Sequence, residues 1–177
     1  MILIQLKRLL NWCCDTKEII STVPKIKMIK IPSYLTESDF SEIMKLDCLK
    51  PFYMEVFMMY SETCIRLREV FNGKLVGSWL VLMPDDNKTG ITHEISLKKH
   101  NIPVIQKMRN NLSESETSFK SATDHYNRVF KKALRDIKKA DLSFHNLRDT
   151  FAIRCYLDTR DIYKVYKALG NSTVKMT

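Results

Sequence analysis

At 177 residues the chain fits one ordinary domain and is long enough to bury a sizeable core. A formal net charge of +9, from 29 Lys+Arg against 20 Asp+Glu, points to a polyanionic partner, with nucleic acid first and an anionic membrane surface second. The four glycines form no phosphate-binding loop, the five cysteines show no C-x-x-C spacing, and no apolar run approaches a membrane span. These features argue against nucleotide hydrolysis, a zinc site, a disulfide framework and a membrane anchor.

The opening residues 1–10 are too short and too soon charged for a signal peptide, so the expected location is cytoplasmic. Residues 1–21 read as a helix with Ile4, Leu6, Leu9, Leu10 and Cys13 on a rough apolar face. Residues 22–34 are lysine-rich and bounded by Pro24 and Pro32, which reads as a linker. A new folding unit is expected over 35–177, starting with a helix that Thr36 caps and Asp39 completes as a capping box.

From Phe52 to Val70 the apolar positions Phe52, Val56, Met59, Thr63, Leu67 and Val70 recur at helical spacing and read as core. Residues 79–83 and 93–97 read as two strands joined across the polar turn 84–90, a small antiparallel hairpin. A short helix over 102–108 and a Ser/Thr/Asn/Glu-rich loop over 111–123 follow.

Residues 124–140 carry the cleanest periodicity, with Tyr126, Val129, Phe130, Ala133, Leu134 and Ile137 on one face of a helix. The other face holds Arg128, Lys131, Lys132, Arg135, Lys138 and Lys139. A charged face is usually just a solvated one, but the near absence of acids makes phosphate contact a competing reading. Helices are then expected over 143–157 and 161–168, the last closed by Gly170. The fold class is mainly α with one small antiparallel β-hairpin.

Within the helix over 143–157, His145 and Arg148 are spaced i, i+3. That puts an imidazole beside a permanently charged, fork-shaped phosphate ligand. Phe144, Leu147, Phe151 and Cys155 form a separate stripe expected to face the core. Alone, the pair is an ordinary surface His and Arg. Arg66 and Glu69 are likewise spaced i, i+3 on an expected helix, and alone they read as a surface ion pair. Lys88, at the hairpin tip before Thr89 and Gly90, is alone a solvated turn residue. His93, His100 and His125 lack partner spacing and read as ordinary surface or core histidines; Tyr156, Tyr163 and Tyr166 read as packing residues.

Taken in order, Thr63-Cys64-Ile65-Arg66-Leu67-Arg68-Glu69, Lys88-Thr89-Gly90, His145-Asn146-Leu147-Arg148 and Leu169-Gly170-Asn171 resemble the motifs of the tyrosine site-specific recombinases, the phage-integrase family. Two positions depart from its pattern: Cys64 stands for a glycine, and Asn171 for a histidine or tryptophan. The resemblance spans the chain, with 1–21 like the last helix of the family's core-binding domain and 35–177 like its catalytic domain. The family's nucleophilic tyrosine follows the position of Asn171 by several residues, so it is expected beyond Thr177, and residues 1–177 by themselves are expected not to cleave DNA.

The resemblance implies DNA breaking and rejoining through a 3′-phosphotyrosyl link, with no metal, nucleotide or other cofactor. It implies catalytic roles for Arg66, Lys88, His145, Arg148 and, more weakly, Asn171, with Glu69 supporting an arginine. The implied partner is duplex DNA, contacted by Arg128, Lys131, Lys132 and Arg135, with self-association as a tetramer on DNA. Two alternatives stay open: a type IB topoisomerase-like enzyme, which uses a similar residue set, and a non-catalytic DNA-binding remnant of a recombinase.

Overall fold

Thr36 starts the first described helix as its sequence requires. In the computed structural model, which describes residues 33–86, 90–114 and 118–170, its hydroxyl accepts from the Asp39 amide at 3.1 Å. The Asp39 carboxylate accepts from the Thr36 amide at 3.0 Å in return, closing the capping box of α1, Glu37–Met44. Burial alone raises the Asp39 pKa. The Thr36 amide and hydroxyl, with Lys139 at 3.2 Å, outweigh that and hold it below the usual value. The helix expected over 1–21 and most of the linker expected over 22–34 lie outside the described residues.

The helix α2, Pro51–Glu62, opens on a proline, whose missing N–H costs nothing at a first helical position. It does not run on to Val70 as the periodicity suggests. Thr63 turns extended and its hydroxyl donates to the Met59 carbonyl at 2.8 Å, ending the ladder. A non-helical connection over 63–68 leads to the single turn α3, Glu69–Asn72. Thr63 and Val70 are still buried, so the connection satisfies the same apolar spacing without being helical. Arg66 therefore lies in the connection and Glu69 at the start of α3, not together on one helix.

The sheet has three antiparallel strands in the order β1 (Lys74–Val76), β2 (Trp79–Leu82) and β3 (His93–Ser96), one more than the expected hairpin. The turn between β1 and β2 uses Gly77 at φ +58°, a conformation that costs glycine little. In β2 and β3, Leu80 pairs with Ile95 and Leu82 with His93; Leu80, Leu82 and Ile95 face the core.

The helices α4 (Asn101–Glu114) and α5 (Phe119–Asp136) take up most of the stretch expected to be a loop. α4 is anchored by Arg109, which donates to the carbonyls of Val70 and Gly73. The Ser118 side chain caps α5 by accepting from the Ser121 amide at 3.2 Å. α5 ends before Lys138, whose φ of +60° takes the chain out of the helix, so Lys138 and Lys139 are not part of its basic face.

Two helices complete the described chain, α6 (Asn146–Thr159) and α7 (Ile162–Ala168), the latter capped by Asp161. α6 packs on α2. Between α2, α5 and the entry to α6 lies an aromatic cluster: Phe57 and Phe130 have ring centroids 4.7 Å apart, and Tyr60 and Phe144 4.8 Å apart, all edge-on. Of the expected core stripe on α6, Phe144 and Leu147 are buried, whereas Phe151 and Cys155 are half-buried. The packing expected of three tyrosines is corrected for two of them: Tyr156 is 42% exposed and Tyr163 66%, near the open corner between α6 and α7.

Candidate active site

Glu69 stands at the middle of the site with only 6% of its side chain exposed. Its Oε1 accepts from Arg66 Nη1 at 2.5 Å and its Oε2 from the Arg66 amide at 2.6 Å; Arg148 Nη1 lies 4.0 Å from Oε2 on the other side. One buried carboxylate thus gathers two guanidinium groups, from the 63–68 connection and from α6. The cluster keeps one net positive charge, since arginine does not deprotonate in proteins.

The two arginines differ in depth. Arg66 keeps 32% of its side chain exposed, and Arg148 only 8%. Burial, and then the neighbouring Arg66, lower the Arg148 pKa from its ordinary value. Arg148 is fixed by two backbone acceptors: Nη1 donates to the Cys64 carbonyl and Nη2 to the Leu169 carbonyl at 2.5 Å.

The position taken by Cys64 therefore serves through its backbone as well as its side chain. The thiol donates to the Ala168 carbonyl, and burial, its largest influence, pushes its pKa up to about 11.

Arg66, His145 and Arg148 line one cleft of about 220 Å³, together with Arg68 and, from α5, Asp124 and Asn127. His145 is exposed at the N-cap of α6, where its carbonyl accepts from the Arg148 amide at 2.9 Å. The expected pairing of His145 and Arg148 on one face thus takes the form of a cap residue beside a buried first-turn arginine.

Asp124 and Asn127 also border an adjoining open groove that reaches Lys120 and Arg128. Of the four residues expected to contact DNA, Arg128 lines this groove, while Lys131, Lys132 and Arg135 are exposed farther along α5. Lys88 and Asn171 lie outside the described residues. No cluster of three His, Cys, Asp or Glu side chains that could hold a metal occurs among the described residues, and no helix there is long and apolar enough to cross a membrane.

Sequence reasoning missed Arg68, which sits two residues from Arg66 in an expected helix that would have turned it away. His100 pairs with Glu62 at 2.8 Å and His125 with the Tyr53 hydroxyl at 2.6 Å, as ordinary histidines do. His93 instead lies against the end of α7, with its Nε2 buried and making no well-aligned hydrogen bond, the Ala168 carbonyl being the nearby acceptor. Only the alternation of β3, which puts positions 93 and 95 on the same face, hinted at this in the sequence.

A small antiparallel sheet of three strands flanked by helices is the fold of a tyrosine-recombinase catalytic domain. Solved structures that carry it include two recombinases. Against the XerA recombinase the TM-score is 0.55 at 16% identity, covering 84% of this chain and 58% of that one. Against the XerH site-specific recombinase, bound to a palindromic difH substrate in a post-cleavage complex, it is 0.57 at 16% identity, covering 81% of this chain and 48% of that one. The chain thus spans about half the length of these proteins. At the level of sequence, no family profile and no curated protein matches it.

Proposed function

We propose that this chain carries the phosphate-binding part of a site-specific recombinase, an enzyme that breaks and rejoins duplex DNA through a 3′-phosphotyrosyl intermediate. The observation that carries the reading is the gathering of Arg66 and Arg148 around one buried carboxylate, at a cleft that His145 also lines. Two guanidinium groups held in place before the substrate arrives suit the non-bridging oxygens of a phosphodiester. They suit even better the extra charge of its pentacoordinate transition state.

In this mechanism Arg66 and Arg148 hold the scissile phosphate and Glu69 fixes both arginines. A tyrosine that the family's pattern places after Asn171 attacks phosphorus, and the P–O bond to the 5′ oxygen breaks. Lys88 gives that oxygen its proton, and His145 assists the proton leaving the tyrosine, with Asn171 as a further donor. The 5′-hydroxyl of a second DNA end reverses the steps and restores the phosphodiester, so no external energy source enters. Arg128, Lys131, Lys132 and Arg135 contact the backbone of the duplex, and the active assembly is a tetramer on DNA.

The test uses the protein with its tyrosine included. A preferred duplex is selected from a random library, then nicked next to the preferred site so that cleavage cannot be reversed. The expected result is a covalent adduct at the 3′ phosphate, suppressed about 10²–10³-fold by Arg148→Ala, the usual cost of losing one preorganised donor. An adduct that Arg148→Ala leaves undiminished would overturn the assignment. Relaxation of supercoiled plasmid with no exchange between two sites would identify a topoisomerase instead.

A further inference from the structure

We infer that His93 is a positioning residue for Arg148, acting through the last turn of α7: its ring sets where the Leu169 carbonyl sits, and that carbonyl holds the guanidinium.

Three side chains from three different segments meet on residues 168–170. The Cys64 thiol donates to the Ala168 carbonyl, Arg148 Nη2 donates to the Leu169 carbonyl, and the His93 ring lies beneath Gly170. The ring's approach is close. A Cβ added at Gly170 would meet His93 Cδ2 at 2.7 Å and Nε2 at 2.8 Å, and Gly170 is also left-handed at φ +64°. The turn can therefore neither carry a side chain there nor settle lower, so the ring fixes its height. The next carbonyl back along the chain, that of Leu169, is the acceptor for Arg148.

The choice of residue type needs explaining, because a buried imidazole nitrogen with only the poorly aligned Ala168 carbonyl beside it forfeits much of a hydrogen bond, worth about 0.5–1.5 kcal/mol. Position 93 faces the same side of β3 as the buried Ile95, so an aliphatic side chain would avoid that cost. A flat ring is what leaves room for a helix-ending turn laid directly upon it. The ring also stays neutral: burial lowers its pKa, Arg148 and Arg66 push the same way, and Glu69 and the Ala168 carbonyl oppose them. A neutral ring adds no third cation beside the two arginines.

The phosphate arm of the test rests on the proposed recombinase reading, whereas the positioning arm does not. The 177-residue chain is labelled with ¹⁵N, and the Nε–H signals of Arg148 and Arg66 are followed while inorganic phosphate is added. His93→Ala is expected to move the Arg148 signal, leave that of Arg66 in place, and weaken the phosphate affinity read from the Arg148 shift about tenfold, the equivalent of one hydrogen bond.

Leu82→Ala, at the cross-strand neighbour of His93, is the control for a merely structural role. It should lower thermal stability and leave the Arg148 signal where it was. If His93→Ala does not fold, His93→Asn decides. A folded His93 variant with the wild-type Arg148 signal and phosphate response would overturn the inference. A His93 variant that moves the Arg148 signal, in a protein where phosphate moves neither arginine, would sustain the inference and refute the phosphate site.

Discussion

Burial sets the two arginines apart although they share one carboxylate. Arg148 is 8% exposed, donates to the carbonyls of Cys64 and Leu169 and lies 4.0 Å from the Glu69 carboxylate, so removing it leaves two carbonyls without their charged donor, while Glu69 keeps Arg66. Arg148→Ala should cost about 3–6 kcal/mol, two hydrogen bonds from a charged donor at about 1.5–3 each. Arg66, a third exposed, should cost less on truncation, on the order of 1.5–3 kcal/mol for a hydrogen bond to a charged group. Urea denaturation of the two variants checks the order, and equal costs would contradict the difference in depth. The same contrast governs the cysteines. Cys48 is exposed, whereas Cys64 is buried with its pKa pushed up to about 11. Iodoacetamide near neutral pH should label Cys48 in the native protein and Cys64 only after unfolding, as peptide mass spectrometry would read.

Local chemistry was legible wherever an element is decided by its own residues. The capping box of Thr36 and Asp39 is written in four consecutive positions and occurs as read. Thr36→Ala should therefore cost about 1 kcal/mol in thermal or urea unfolding. Its partner carries a pH signature. The folded-state pKa of Asp39 lies below its ordinary 3.8, so the folded state binds fewer protons than the unfolded chain there. The contribution is present in full above about that value and is lost as pH falls through the lower folded value, so Asp39→Asn and wild type should converge in stability in strong acid. Element boundaries were less legible. The apolar spacing from Val56 to Val70 continues across a break that only the Thr63 hydroxyl and the needs of Arg148 explain. β1 is three residues long, too short for an alternation to show. The polar residues over 111–123 read as a loop because their apolar anchors are few, yet Arg109 and the Ser118 cap hold most of that stretch in helices. The joint order of the motifs, not spacing alone, singled out Arg66, Glu69, His145 and Arg148, and the structure brings these four side chains together. The packing of His93 was not legible, since it depends on a turn seventy-odd residues away.

The net charge of +9 becomes informative at the scale of the whole molecule, because part of it is organised. Arg128, Lys131, Lys132 and Arg135 are all exposed on α5, and the groove that Arg128 lines adjoins the cleft of Arg66 and Arg148. If this ridge meets a duplex backbone, its charges displace condensed counterions, each phosphate neutralised contributing about 0.9 to the slope of log affinity against log salt. Replacing all four by Gln should then flatten that slope by up to about 3.6 and weaken binding alike for unrelated sequences. Arg148→Ala should flatten it by at most about 0.9, because a single buried cation reaches only one phosphate. The measurement is a titration of one short duplex at several salt concentrations, with circular dichroism showing that each variant keeps its helices. A fourfold variant that stays folded and keeps the wild-type slope would mean that the ridge is only a solvated face. The duplex would then have to be held by other basic residues of the chain.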